Sequence, residues 1–313
     1  MTNNIASNVY ITRHTLGSLC SDNTYDDVIA LITKLEYIVK EYKYSKNIHV
    51  QCANDILDCK FFGESLSLED ILLEVAKDDW SILTYFYSEF EKAIADIKTN
   101  IPSYVYYQIF SKPTTNTFPR DYPLTIDNTL WPQINIATHT CDWKDTLGKN
   151  SKFIAQYNKD KDDFIKLSVL NYDNLIFHQD IASTLDSIPK RTYKNFENII
   201  SDALNSLNQC YHFISKEPNK NEEDVDFISS YTATIGRKLS CSRQGRNKPV
   251  FDFTIKGTND TEKINCEYHL KINWDDTGKR LASSEVIRIY FSLKFDNLLG
   301  QKKINVAHIG EHY

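Results

Sequence analysis

The chain lacks both a paired-cysteine pattern and a long apolar run. Its 313 residues include seven cysteines, an odd number without any C-x-x-C pair, so we expect neither a disulfide framework nor a zinc finger. No apolar stretch approaches the roughly 18 residues of a membrane span, and the first residues do not form a basic segment followed by an apolar one. These absences predict reduced, mostly buried thiols and a cytoplasmic protein that does not enter a membrane.

Charge is present in ordinary amount but is unevenly distributed. Residues 230–313 hold 14 Lys and Arg against 9 Asp and Glu, whereas the rest of the chain holds 22 against 33. A basic end on an acidic protein is typical of a nucleic-acid footprint, or of a surface that the acidic part covers. The apolar and charged fractions, 41% and 25%, are those of a folded globular protein.

The first part of the chain has the periodicity of helices. Apolar side chains recur at helical spacing over residues 24–43, and Thr24 is placed to cap the start. Residues 67–70, Ser-Leu-Glu-Asp, have the form of a capping box, and the helical pattern resumes at Trp80. We therefore predict a mostly helical region over residues 1–110.

Residues 111–224 form a mixed connection in this interpretation. Several prolines between residues 113 and 132 break any long helix, residues 163–170 are predicted to be a strand, and residues 193–214 return to helical spacing. The segment 216–224 is charged, contains Pro and Asn, and lacks an apolar anchor, so it is predicted to be a linker. The second domain would then occupy residues 225–313.

The last part of the chain alternates polar and apolar residues with the period of half-buried strands. In residues 266–274, Glu267, His269 and Lys271 alternate with apolar side chains, and residues 250–256 and 286–294 follow the same pattern. Residues 303–309 are less regular, because Ile304 and Val306 have the same parity as His308. Asn, Asp and Gly lie between the segments, as turns require. These patterns predict an antiparallel sheet and an α+β fold.

Pairing of consecutive segments would place a chemically useful set on one face. One histidine could remove the proton of an RNA 2′-hydroxyl, another group could protonate the leaving oxygen, and cations could stabilise the charged phosphorane. We predict His269 as the leading acid or base, with His308 or His312 as its partner. The predicted catalytic residues are His269, Lys271, Arg288, Tyr290, His308 and His312.

A basic segment precedes the predicted sheet. Residues 237–246 carry four basic side chains with Gly and Ser between them, which is suited to a loop that follows a phosphate backbone. Glu267 is predicted to hold His269 in position. The predicted substrate-binding residues are Arg237, Lys238, Arg243, Arg246 and Glu267, with RNA as the partner and without a metal or another cofactor.

The sequence of residues 288–291, Arg-Ile-Tyr-Phe, followed by residues 303–313, resembles the C-terminal part of RelE-type ribonuclease toxins over at most the last 85 residues. The resemblance implies a small curved antiparallel sheet with packed helices, and metal-independent cleavage of mRNA. The chain departs from that family in its greater length and in the acidic Glu267. Its N-terminal part is similar to the sensor or regulator of bacterial abortive-infection and antiphage proteins, which implies a toxin in antiviral defence and a protein regulator, or self-association, acting through the helical region.

Two other functions fit the same residues. Asp252 and Glu267 on neighbouring strands would be similar to the carboxylate pair of Mg²⁺-dependent restriction-type nucleases, although His269 stands where those enzymes carry a lysine. The basic face could also bind nucleic acid or a protein without cleaving anything, with Tyr268, Trp274 or Tyr290 stacking on bases.

Overall fold

The computed structural model describes residues 5–17, 19, 22–60, 66–77, 79–112, 117–126, 139–234, 239–245, 248–255 and 260–313. The chain divides into two compact units, Met1–Thr146 and Leu147–Tyr313. Helices with a small parallel sheet form the first unit, and helices with a mostly antiparallel sheet form the second. The predicted α+β class is therefore confirmed. The segment 216–224 lies within the second unit and ends in the first turn of a helix.

The first unit is a three-stranded parallel sheet with helices between its strands. The expected capping of the first long helix is confirmed: the Thr24 hydroxyl accepts from the Asp27 amide at 3.3 Å, and Asp27 bonds back to the Thr24 amide at 2.8 Å. The strands run in the order β2-β1-β3. The elements are β1 Ser7–Ile11, α1 Tyr25–Glu41, β2 Ile48–Cys52, α2 Leu68–Ala76, α3 Trp80–Ile94, α4 Ser103–Phe110 and β3 Arg120–Pro123.

The second unit begins within a helix and ends in strands. The expectation of a strand over residues 163–170 is wrong, because Asp160 accepts a hydrogen bond from the Asp163 amide at 2.8 Å and starts a helix there. The helices are α5 Trp143–Tyr157, α6 Lys161–Asn171, α7 Ile181–Thr184, α8 Glu197–Cys210 and α9 Asn221–Ala233. The strands are β4 Leu175–Phe177, β5 Ser240–Arg243, β6 Val250–Thr254, β7 Thr261–Asn265, β8 Tyr268–Ile272, β9 Ile287–Asp296 and β10 Gln301–Gly310.

A five-stranded sheet with the order β4-β10-β9-β8-β5 forms the centre of this unit. Strands β10, β9, β8 and β5 pair antiparallel, and β4 runs parallel to β10. One face is apolar and fully buried, with Leu270, Ile289 and Phe291 at its centre. Helix α8 packs against β8, and α9 packs against β5. The opposite face is polar and holds the residues predicted to act on RNA.

Strand β6 does not join this sheet. The expectation that residues 250–256 pair with residues 266–274 is wrong, because β6 pairs with β7 in a separate hairpin. The hairpin packs on the polar face of the sheet, where its Phe253 and Ile264 form an apolar cluster with Tyr290 and Ala307. The hairpin therefore shields one end of that face from water.

A β-bulge at Ala307 explains the irregular alternation of the last strand. Val306 is opposite Phe291 on the apolar face, and the register then shifts so that His308 is opposite Tyr290 on the polar face. Ala307 is the extra residue, and such an insertion turns the side chains that follow it. The bulge thereby places His308 on the polar face, although it has the same parity as Ile304 and Val306 on the apolar face.

A buried ion pair connects α9 to β10. The Lys302 ammonium contacts the Asp224 carboxylate, and their side chains are 0% and 4% exposed. The other Asp224 oxygen accepts from the Ser215 amide at 2.6 Å. Removal of one partner from such a pair is costly, because the remaining charge stays buried without compensation.

Among the helices of the described residues, none is long and apolar enough to cross a membrane.

We expect Asp224→Asn to lower the free energy of unfolding by about 3–5 kcal/mol, because Lys302 would lose its countercharge inside the protein. Urea denaturation measures the change. Glu223→Gln is the matched control. It removes a carboxylate charge from the neighbouring residue, which forms an exposed ion pair with Lys220. The loss of this pair should cost less than about 1 kcal/mol. Equal losses in the two variants would contradict the role of the buried pair.

Candidate functional site

Three neighbouring strands place aromatic and imidazole rings in one row on the polar face. His269 of β8 and His308 of β10 are each opposite Tyr290 of β9. Ring centroids are 5.2 Å apart between His269 and Tyr290, and 5.8 Å apart between Tyr290 and His308. Ser242 of β5 continues the row, with its hydroxyl 3.1 Å from His269 Nε2. The two histidines are thus separated by two strand spacings, about 10 Å at the backbone.

Both histidines of this row are buried. His269 is 3% exposed and His308 is 4% exposed. Burial lowers the pKa of His308 to about 4. Burial, helped by the charges of Lys271 and Arg288, lowers the pKa of His269 to about 3. Both rings are therefore neutral at pH 7, which is the form of a histidine that accepts a proton.

A second row, about 7 Å along the strands, consists of cations. Lys271 of β8 is directly opposite Arg288 of β9, and both side chains are half-buried. Like charges opposite each other destabilise a sheet. Across the part of the chain that the structure describes, neither side chain forms an ion pair with a carboxylate. Two adjacent, uncompensated cations make this position suited to an anion.

Several nitrogens of the two rows have unused hydrogen-bonding capacity. Within the described ranges, His269 Nδ1, His308 Nδ1 and Arg288 Nε are buried and have no hydrogen-bond partner. Buried polar atoms without partners are uncommon in folded proteins, and each such atom calls for an explanation such as a missing ligand or water. Three such atoms on one face of one sheet, beside two adjacent cations, indicate a place for a polar ligand.

Residues 311–313 continue from β10 across this face. Tyr313 lies edge-on to His308, with ring centroids 4.8 Å apart, and its amide donates to the Tyr290 hydroxyl at 3.2 Å. The charges of Arg288 and Lys271 contribute, after burial, to lowering the pKa of His312. His312 therefore lies within electrostatic reach of the cationic row.

Two predicted substrate-binding residues lie apart from the rows. Arg243 is opposite Tyr268 in the register, so it alternates onto the face away from His269. Its guanidinium bonds Glu222 and Glu267 at 3.2 Å, and Lys248 also contacts Glu267. Glu267 is therefore neutralised by two cations, which lower its pKa against the opposing effect of burial. Ser242, not Glu267, is bonded to the His269 ring.

Asp252 belongs to the separate hairpin, where it is opposite Lys263. Its predicted position on a strand next to His269 is therefore wrong. Of the four basic residues in segment 237–246, Arg237, Lys238 and Arg246 lie outside the described residues. The expectation that the segment is a loop is wrong for residues 240–243, which form β5. Among the described residues, no group of three or more His, Cys, Asp or Glu is arranged to hold a metal ion.

Ser242 and Gln244 are members of the site that sequence reasoning missed. Gln244 donates to the Tyr313 carbonyl at 3.3 Å and so connects β5 to the end of the polar face. A period-two signal was available, because Ser240, Ser242 and Gln244 alternate with Cys241. The four basic residues of the segment obscured that signal.

Comparisons with protein-family models, with curated proteins and with solved structures found no match. The resemblance to RelE-type toxins therefore stays a prediction.

Inorganic phosphate should stabilise the native protein by occupying the position between Lys271 and Arg288, since a ligand that binds only the folded state raises its stability. Thermal unfolding with increasing phosphate measures the effect. We expect the shift to be lost in Lys271→Gln/Arg288→Gln. Lys303→Gln is the control, because that lysine already contacts Asp296. A phosphate shift that survives in the double variant would contradict an anion site at this position.

Stability should fall as the pH is lowered from about 6.5 toward 4. Because the native pKa of His269 is about 3 and that of His308 about 4, the unfolded chain binds protons in this range that the native protein does not. Each histidine then reduces the free energy of unfolding by up to about 1.4 kcal/mol per pH unit. Urea denaturation at several pH values should show a shallower dependence in His269→Gln than in the wild type. The same dependence in both would contradict the assignment, and His49→Gln, at an exposed position, serves as the control.

Proposed function

We propose that the second unit cleaves RNA phosphodiester bonds without a metal ion, at the polar face of its five-stranded sheet. The observation that carries the proposal is the pairing of Lys271 with Arg288. These two cations have no carboxylate partner among the described residues, and they lie beside two neutral, buried histidines. A phosphate between the cations would supply the missing countercharge and would lie near the row of His269, Tyr290 and His308.

The chemistry follows from the groups in the row. His269 takes the proton of a ribose 2′-hydroxyl, and the oxygen then attacks the adjacent phosphorus. The bond from phosphorus to the 5′-oxygen breaks, and His308 donates a proton to that oxygen. The products are a 2′,3′-cyclic phosphate and a 5′-hydroxyl end.

With an anion bound, the protonation states suit His269 as the base and His308 as the acid. When His269 Nε2 donates to Ser242, Nδ1 retains the lone pair of a base. His308 must be protonated to act as the acid, and a bound phosphate favours its charged form because an anion raises the pKa of a neighbouring histidine. Lys271 and Arg288 stabilise the additional charge of the phosphorane. The Tyr290 ring lies between the imidazole rings of His269 and His308.

The two alternatives differ in how well the geometry supports them. A Mg²⁺ site built from Asp252 and Glu267 is disfavoured, because Asp252 is on another hairpin and Glu267 is held by Arg243 and Lys248. Binding without cleavage uses the same cationic row and needs no acid or base. The proposed setting, a bacterial effector in stress or phage defence, derives from the resemblance to toxins alone.

The proposal predicts RNA cleavage that continues in EDTA and falls at least a hundredfold in His269→Ala, since loss of a general base typically costs 10²–10⁴ in rate. Single-turnover cleavage of a labelled RNA, with identification of the cyclic phosphate end, measures it. A substrate with 2′-deoxyribose at the cleaved position should remain intact, because the attacking hydroxyl is absent.

Asp252→Asn is the control and should cleave as the wild type does. Cleavage abolished by EDTA and by Asp252→Asn would overturn the proposal in favour of the metal-dependent alternative. Salt-sensitive RNA binding with no product would leave only the binding function.

A further inference from the structure

The segment Glu311–Tyr313, here called the strap, leaves β10 and folds back over the polar face. All three of its residues are exposed, whereas the side chains beneath it are buried. The Tyr313 ring lies edge-on to Phe251 of the hairpin at 5.4 Å and to Tyr290 at 5.8 Å. The strap and the hairpin together cover the row of histidines.

The strap occupies groups that a substrate would use. The Tyr290 hydroxyl accepts a hydrogen bond from the Tyr313 amide. His308 Nε2 lies 3.2 Å from the Glu311 carbonyl oxygen and donates to it. In the proposed reaction this donor would face the leaving oxygen of RNA. A carbonyl oxygen of the chain therefore takes the place of a substrate oxygen.

The point at which the strap begins is fixed by close packing. A Cβ atom on Gly310 would lie 2.0 Å from Ser187 Oγ and 2.8 Å from the Thr184 carbonyl oxygen. The Ser187 hydroxyl also accepts from the Glu311 amide at 3.2 Å, and Thr184 bonds the Ile309 amide at 3.0 Å. Only glycine permits the strand to pass this surface of α7 and the turn after it.

Beyond that anchor the strap is held weakly. Its contacts are single hydrogen bonds that His308 and Gln244 donate to its carbonyl oxygens, one that its Tyr313 amide donates to Tyr290, and the aromatic edges of Tyr313. Each such contact contributes only modestly on its own, because a hydrogen bond within the protein replaces one that the same groups would make with water. A segment held in this way can be displaced by a competitor that offers stronger, charged contacts.

We infer that the strap is an autoinhibitory cover, which must leave the polar face before an RNA phosphate can reach His308 and Tyr290. The identity of the displacing ligand rests on the proposed function, whereas the cover itself rests on the contacts above. With the strap displaced, His312 moves away with it, so the acid in the reaction is His308 on the sheet.

Accessibility of the histidines tests the cover independently of any activity. A chain shortened after Gly310, and Tyr313→Ala in the full chain, should be compared with the wild type for diethyl pyrocarbonate modification, read residue by residue by mass spectrometry. We expect at least a tenfold faster modification of His308 in the shortened chain and a smaller increase in Tyr313→Ala. His49, which is exposed in the first unit, should react at the same rate in all proteins.

Glu311→Ala is the matched control, because it keeps the amide and the carbonyl through which residue 311 makes its contacts. Modification of His308 should then equal that of the wild type. An unchanged rate in both the shortened chain and Tyr313→Ala, with thermal unfolding confirming that they are folded, would overturn the inference.

Cleavage of the labelled RNA by the same proteins separates the two proposals. Faster modification with faster cleavage supports both. Faster modification without cleavage in any protein supports the cover and removes the proposed reaction. Cleavage that is lost in the shortened chain, while His308 becomes accessible, would overturn the inference by making His312 the acid.

Discussion

The antiparallel register of β8, β9 and β10 is the constraint on which the second unit depends. Register decides which side chains share a face, because successive residues alternate across a strand. Here it sends Leu270, Ile289 and Val306 toward the helices and assembles the histidine row on the other side. The apolar face anchors the sheet through the hydrophobic effect. The polar face can then carry His269, Lys271, Arg288 and His308, which are not needed in that apolar layer.

The polar face has features that reduce the stability of the second unit. Among the residues that the structure describes, its cations have no carboxylate partner and three of its buried nitrogens have no hydrogen-bond partner, features that lower stability. Proteins tolerate such local conflicts mainly at functional sites, where binding of a ligand resolves them. The covering of one end by an aromatic hairpin and of the row by the strap limits how much of this face meets water.

Much of the site was predictable from the sequence, because it depends on local alternation. Lys271, Arg288 and Tyr290 could be assigned to one face from parity alone, as could the capping of α1 by Thr24. The partner of β6 could not, since residues 261–265 are charged and follow a turn signal, so they do not alternate as a buried strand does. The short strands β1, β2 and β3 were hidden for another reason: they are brief segments between strong helical patterns, and their parallel pairing depends on contacts far apart in sequence. The helix α6 was mistaken for a strand because its apolar side chains give almost no helical periodicity, and Asp160 decides the matter.

The bulge at Ala307 changes the face of the sheet on which the following side chains of β10 lie. Before the bulge Ile304 and Val306 lie on the apolar face, and after it His308, at the same parity, lies on the polar face opposite Tyr290. The single extra residue Ala307 produces this change of face without an additional loop or domain. Insertion or deletion of one residue in such a strand would exchange the side chains of its apolar and polar faces, which substitution of any one side chain cannot do. The spacing of residues along β10, as much as their identities, therefore determines which side chains share a face with His269 and Tyr290.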